Sequence, residues 1–128
     1  MPYTLEQLPG EPILLATLPP DFDLSTDTSD CAEVCLEFLD ESDQALILIL
    51  DLTQASGRFS DFLPVMASPR AGRRAVLLHP KLSRAIIVST GGVVRMACRA
   101  LKRRQNGHIN ITVVDTVEEA LELARRTD

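Results

Sequence analysis

The run Ala45-Leu46-Ile47-Leu48-Ile49-Leu50 contains no polar residue, and Asp51 closes it. Side chains alternate between the two faces of a strand, so a strand of this composition needs cover on both sides. Such strands sit at the centre of parallel sheets, between helices or between a helix and a further layer. No apolar stretch reaches the roughly 20 residues that a membrane-spanning helix takes. A chain of 128 residues around such a strand reads as one domain over 1–128, since a core of this size removes about two-thirds of the unfolded surface from water. The apolar share is 45%, with no Trp and one Tyr, so the core is expected to be aliphatic.

The flanking segments alternate in type. Tyr3 to Leu8 reads as a short strand, with Pro9-Gly10-Glu11-Pro12 as a turn into the apolar run Ile13 to Leu18. Pro19-Pro20 ends any ladder, because neither residue donates a backbone hydrogen bond, and Asp21 to Thr28 forms an acidic loop. Cys31, Val34, Cys35, Phe38 and Leu39 then recur at helical spacing, which predicts a helix over 29–41 with Ser29 as its N-cap. Ser68-Pro69 favours a helix over 69–78, with a strand over 75–78 as the competing reading. Ala85 to Val88 is a second buried strand. Ser89-Thr90-Gly91-Gly92 leads from it into Val94, Ala97, Cys98 and Leu101 at helical spacing, ended by Asn106-Gly107. Ile109 to Val114 is the last strand, and Thr116-Val117-Glu118-Glu119 is a capping box for a final helix. This alternation implies parallel pairing with right-handed crossovers. The expected fold is α/β, a mostly parallel sheet of about five strands with an antiparallel N-terminal edge strand and four helices.

Charge is distributed unevenly. The net charge is −5, yet no Asp or Glu occurs between Asp61 and Asp115, a stretch holding ten of the thirteen Lys and Arg residues. Such an asymmetry reads as a solvated basic face, as an anion-binding face, or as a dipolar molecule that packs against its own copies. The N-terminal Met1-Pro2-Tyr3-Thr4-Leu5-Glu6 lacks the features of a secretion signal, which gives a cytoplasmic chain with free thiols as the expectation. Three cysteines at irregular positions form no closed disulfide framework, and Cys31 and Cys35 coincide with an apolar stripe.

The double strand at the start, the central strand ending in Asp51-Leu52-Thr53, and the closing Val113-Val114-Asp115-Thr116-Val117-Glu118-Glu119-Ala120 together resemble the STAS-like (SpoIIAA-like) domains. The resemblance covers nearly the whole chain. It looks closest to the small stand-alone bacterial proteins of that group, which carry a pair like His79-Pro80 before the next strand, and in that comparison 69–78 is helical. It implies a (β/α) superhelix whose usual work is reversible protein contact, for example as an anti-sigma factor antagonist switched by serine phosphorylation. In those antagonists the switching serine lies in an Asp-Ser-Ser-Gly-like segment after the central strand. The corresponding stretch is Arg58-Phe59-Ser60-Asp61-Phe62-Leu63, where Ser60 alone matches and the flanking pattern is missing. A phosphate on Ser60 would be favoured by a helix dipole and Arg58 and opposed by Asp61; a plain helix cap is the alternative.

Reactive constellations are sparse. His79 and His108 have no partner ligand at helical spacing, which disfavours zinc. Asp21 to Asp27 begins like a calcium loop, but Thr26 stands where glycine is required and Ala32 where the bidentate Glu belongs. There is no Gly-x-Ser-x-Gly elbow, no Walker loop and no dinucleotide fingerprint, so neither catalytic residues nor a cofactor are expected. The most suggestive feature is Ser89-Thr90-Gly91-Gly92 followed by Arg95, where a strand meets a helix N-terminus that could hold an anion. A Gly pair after a strand is also an ordinary turn. Lys102-Arg103-Arg104 with His108 could touch nucleic acid, although stacking aromatics are absent and the total charge is negative. The expectation is therefore a non-catalytic interaction module that binds a protein partner or itself as a homodimer, with no membrane or nucleic-acid partner. A small-ligand domain using Gly91-Gly92 is the alternative.

Overall fold

The computed structural model describes residues 3–23, 27–55, 76–92, 94–96, 99 and 110–126. The apolar run forms the central strand, β3 (Leu46–Asp51), of a five-stranded sheet; β1 is Thr4–Gln7, β2 Ile13–Thr17, β4 Leu82–Val88 and β5 Ile111–Val114. The strands lie in the order β1-β2-β3-β4-β5. β1 pairs antiparallel with β2 through Thr4↔Thr17 to Gln7↔Leu14, and β2 to β5 are mutually parallel. Gly10, at φ +74°, makes the reversal between β1 and β2, a backbone conformation that glycine adopts without a Cβ clash.

Helix α1 (Thr28–Glu41) joins β2 to β3, and α2 (Val117–Arg125) follows β5. Between β4 and β5, Gly92, Val94, Arg95, Met96 and Arg99 are helical, with the Arg95 amide donating to Gly91 O at 3.4 Å. Right-handed crossovers between sequentially ordered parallel strands fall on one face. Cys31, Cys35, Leu39 and Val94 accordingly share one core with Leu48, Leu50 and Ile87. α2 covers the other face, where Ala120 and Ala124 pack on Ile47, Ile49, Ile86 and Val88. The double cover expected for β3 is met: Leu48 and Ile49 point to opposite faces and both are fully buried.

Three expectations change. The first residue of α1 is Thr28 and its N-cap is Asp27, not Ser29, which lies within the helix. The Asp27 carboxylate is engaged elsewhere, accepting from the Asp23 amide at 2.9 Å, so it closes the preceding loop instead of capping. The four expected helices become three among the described residues. Of the segment 69–78, residues 69–75 lie outside the described residues, and Val76–Leu78 is a single 3-10 turn, so the competing strand over 75–78 does not form. Its Val76 and Leu77 are buried, His79 N–H donates to Val76 O at 3.2 Å, and Pro80 follows. Thr116 caps α2 as expected, its Oγ1 accepting from the Glu119 amide at 3.1 Å.

Candidate functional site

Four parallel strands bring their carboxyl ends to one edge of the sheet, the edge at which open α/β sheets hold ligands. β3 ends there in Asp51, β4 runs into Ser89-Thr90-Gly91-Gly92, and β5 runs into Asp115. Ser89 continues the ladder, its amide donating to Val114 O at 2.9 Å, and is buried. Its Oγ accepts from the Gly91 amide at 3.2 Å, so one donor of the junction is already satisfied. Thr90, Gly91 and Gly92 are exposed. Neither glycine has a left-handed φ. A Cβ on Gly91 would meet Ser89 Oγ at 3.6 Å and Val94 Cγ2 at 3.8 Å, ordinary contacts, while one on Gly92 would meet nothing within 4 Å. The Gly92 side of the junction is therefore open space.

Arg95, expected to face an anion, donates from its guanidinium to Asp115 Oδ1. Both side chains are about half exposed, so the pair is screened by water. Asp51 Oδ1 accepts from the Thr53 amide at 3.1 Å and from Thr53 Oγ1 at 2.7 Å, which folds the Asp51-Leu52-Thr53 segment onto itself. The structure thus gathers Ser89, Thr90, Gly91, Gly92 and Arg95 at one junction and adds two carboxylates, Asp51 and Asp115, that sequence reasoning did not place there. Ser60 and Arg58 lie outside the described residues, as do Lys102-Arg103-Arg104 and His108.

A second polar cluster lies where β3 and β4 begin. His79 is buried; its Nδ1 accepts from the Lys81 amide at 2.9 Å and its Nε2 lies 2.8 Å from Asp40 Oδ1. An imidazole that accepts at Nδ1 carries its proton on Nε2, so His79 donates to Asp40. His79 was read as solitary because its partner is 39 residues away, beyond any helical spacing. Arg84, on the α2 face of β4, donates to Thr112 Oγ1 at 3.3 Å and has a buried Nε with no hydrogen-bond partner among the described residues.

The chain is similar to an uncharacterised protein of the DUF3478 family from Shewanella loihica PV-4, whose crystal structure is described as having a SpoIIAA-like fold. The TM-score is 0.60 at 15% sequence identity, covering 95% of this chain and 91% of that one.

The fold is SpoIIAA-like.

The SpoIIAA-like assignment agrees with the five-stranded order and its one antiparallel pair, and at this identity it speaks to architecture alone. No protein-family model matches the sequence, and no curated protein does either. Among the described residues of this SpoIIAA-like domain, no helix is long and apolar enough to cross a membrane.

Proposed function

We propose that the chain is a non-catalytic, cytoplasmic protein-interaction module of STAS type, acting on a protein partner or on a second copy of itself. One observation carries this reading: the polar groups at the carboxyl edge are taken up by one another. Asp51 is held by Thr53, the Gly91 amide by Ser89 and Arg95 by Asp115. Groups satisfied in this way grip a small molecule poorly, because each contact to it must replace one already made. Charged surface outside that edge is left to recognise a macromolecule. The sequence resemblance to STAS-like domains implies reversible protein contact and agrees with this reading, while the solved structure gives the architecture alone. Affinity capture from the source cell with the full chain, together with light scattering on the purified protein, tests it. A retained partner or a defined oligomer is expected; a lone monomer that retains nothing defeats the reading.

The second reading is a small anion bound at Gly91-Gly92, and the open space beside Gly92 favours it. The Arg95–Asp115 pair works against it, since that guanidinium is already matched. Native mass spectrometry and thermal shifts with inorganic phosphate separate the two: absence of adduct and of any shift removes this second reading.

A further inference from the structure

Met96 is the large apolar side chain that stands in solvent among the described residues, 70% exposed, and it stands between two exposed arginines. Gly92, Arg95, Met96 and Arg99 recur at intervals of three and four residues, so they line one outward stripe of the helix between β4 and β5, while Val94 packs into the core. α1 presents a surface of opposite charge. Asp30, Glu33, Glu37, Asp40 and Glu41 are exposed along its outer side, and the helix has no Lys or Arg. Two of these acids stand in its last turn, where the helix dipole favours cations. The partition runs through the sequence: residues 1–57 hold twelve Asp and Glu and no Lys or Arg, whereas residues 62–114 hold ten Lys and Arg and no Asp or Glu.

The two helices cover the same face of the sheet, as their shared core shows. α1 joins β2 to β3 and the basic helix joins β4 to β5, so they lie over opposite halves of that face and run in the same direction. We propose that this face is a homodimer contact in which the acidic stripe of α1 seats against the Met96-Arg99 stripe of a second copy, and reciprocally, with Arg95 staying on Asp115. The proposal rests on the protein-interaction reading above and names its partner.

Symmetry selects the occupant. A two-fold axis lying in the contact plane and parallel to the strands lays acid on base twice, whereas the in-plane axis perpendicular to the strands lays acid on acid. The same axis preserves level along the strands. Counted from the helix starts, Arg99 is seven residues past Gly92 and Glu33 and Glu37 are five and nine past Thr28, so the proposed contact pairs Arg99 with that segment of α1. A foreign basic protein would satisfy α1 but leave the Met96 stripe in water; a second copy covers both. Methionine, flexible and polarizable, suits such a contact.

Light scattering on the full chain in about 50 mM NaCl should report twice the mass of one chain, and the dissociation constant should rise at least about tenfold in about 500 mM NaCl. Glu37→Arg and Arg99→Glu should each give monomers with unaltered thermal melting, both positions being exposed, and the two changes in one chain should restore the dimer. A wild-type monomer at low salt, a dimer indifferent to both reversals, or a double variant that stays monomeric overturns the proposal. A wild-type monomer that still captures another protein overturns the homodimer alone and leaves the interaction reading standing.

Discussion

His79 Nε2 and Asp40 Oδ1 stand 2.8 Å apart, fastening the loop before β4 to the last turn of α1. With Nδ1 taken by the Lys81 amide, the imidazole spans two segments that touch nowhere in sequence. His79→Ala leaves the Lys81 amide without its acceptor and a cavity in the core, and is expected to cost about 2 kcal/mol. Asp40→Asn keeps an oxygen in place on a half-exposed side chain and should cost less than about 1 kcal/mol. Urea unfolding of the two variants measures both; equal losses would show that the charge of Asp40 matters more than its geometry.

Tyr3 packs edge-on against Phe22 with ring centroids 5.7 Å apart, and its hydroxyl donates to Asp30 O at 3.3 Å. Burial, reinforced by the neighbouring Cys31, Cys35, Asp30 and Glu37, pushes its pKa from 10.0 up to about 12. An acid whose pKa rises on folding adds stability that is intact below 10.0 and disappears as pH climbs through about 12. The chain has one tyrosine, so ultraviolet titration reports Tyr3 alone. Ionisation near pH 12 in buffer and near pH 10 in denaturant is the expected pair of results.

Hydrogen bonding with Cys31 and then burial raise the Cys35 thiol well above its ordinary value. Both thiols are fully buried and free. A thiol-specific reagent should therefore label neither in the native protein and both in denaturant, readable by peptide mass. Native labelling of Cys35 faster than unfolding would contradict the close packing of α1 on β3.

Truncating the two faces of β3 should hurt alike. Leu48 and Ile49 are each wholly buried, one towards α1 and one towards α2. Leu48→Ala and Ile49→Ala are each expected to cost about 3 kcal/mol in chemical denaturation. A loss at Ile49 well under that at Leu48 would mean that α2 is only loosely seated.

Arg125 clasps Glu11 in the turn between β1 and β2, its Nε donating to Oε1 at 2.7 Å and a terminal nitrogen to Oε2 at 3.1 Å. The hydrogen bond from Arg125 lowers the pKa of Glu11, an effect that water and salt moderate at this exposed site. A carboxylate with a depressed folded pKa adds stability present above its unfolded value, ordinarily 4.5, and lost as pH falls through the folded one. Glu11→Gln should lower stability slightly at neutral pH, leave it unchanged below the acid window and so flatten the profile between, as thermal melts from acid to neutral buffers would register.

What the chain encodes locally could be read without coordinates. The unbroken apolar run of β3, the stripe of Cys31, Cys35 and Leu39, the turn at Gly10 and the Thr116 cap each depend on residues within a few positions of one another, and each formed as its spacing demands. Long-range pairing had to wait for the folded chain. Strand order decides that Asp115 reaches Arg95, that Asp40 reaches His79 and that Glu11 reaches Arg125. Burial of Val76 and Leu77 decides that the residues before His79 tighten into a 3-10 turn. The division has a physical cause: periodicity and capping are short-range hydrogen-bond and packing rules, whereas the neighbour of a side chain across the sheet is set by which distant segments share the core, a property of the whole chain at once.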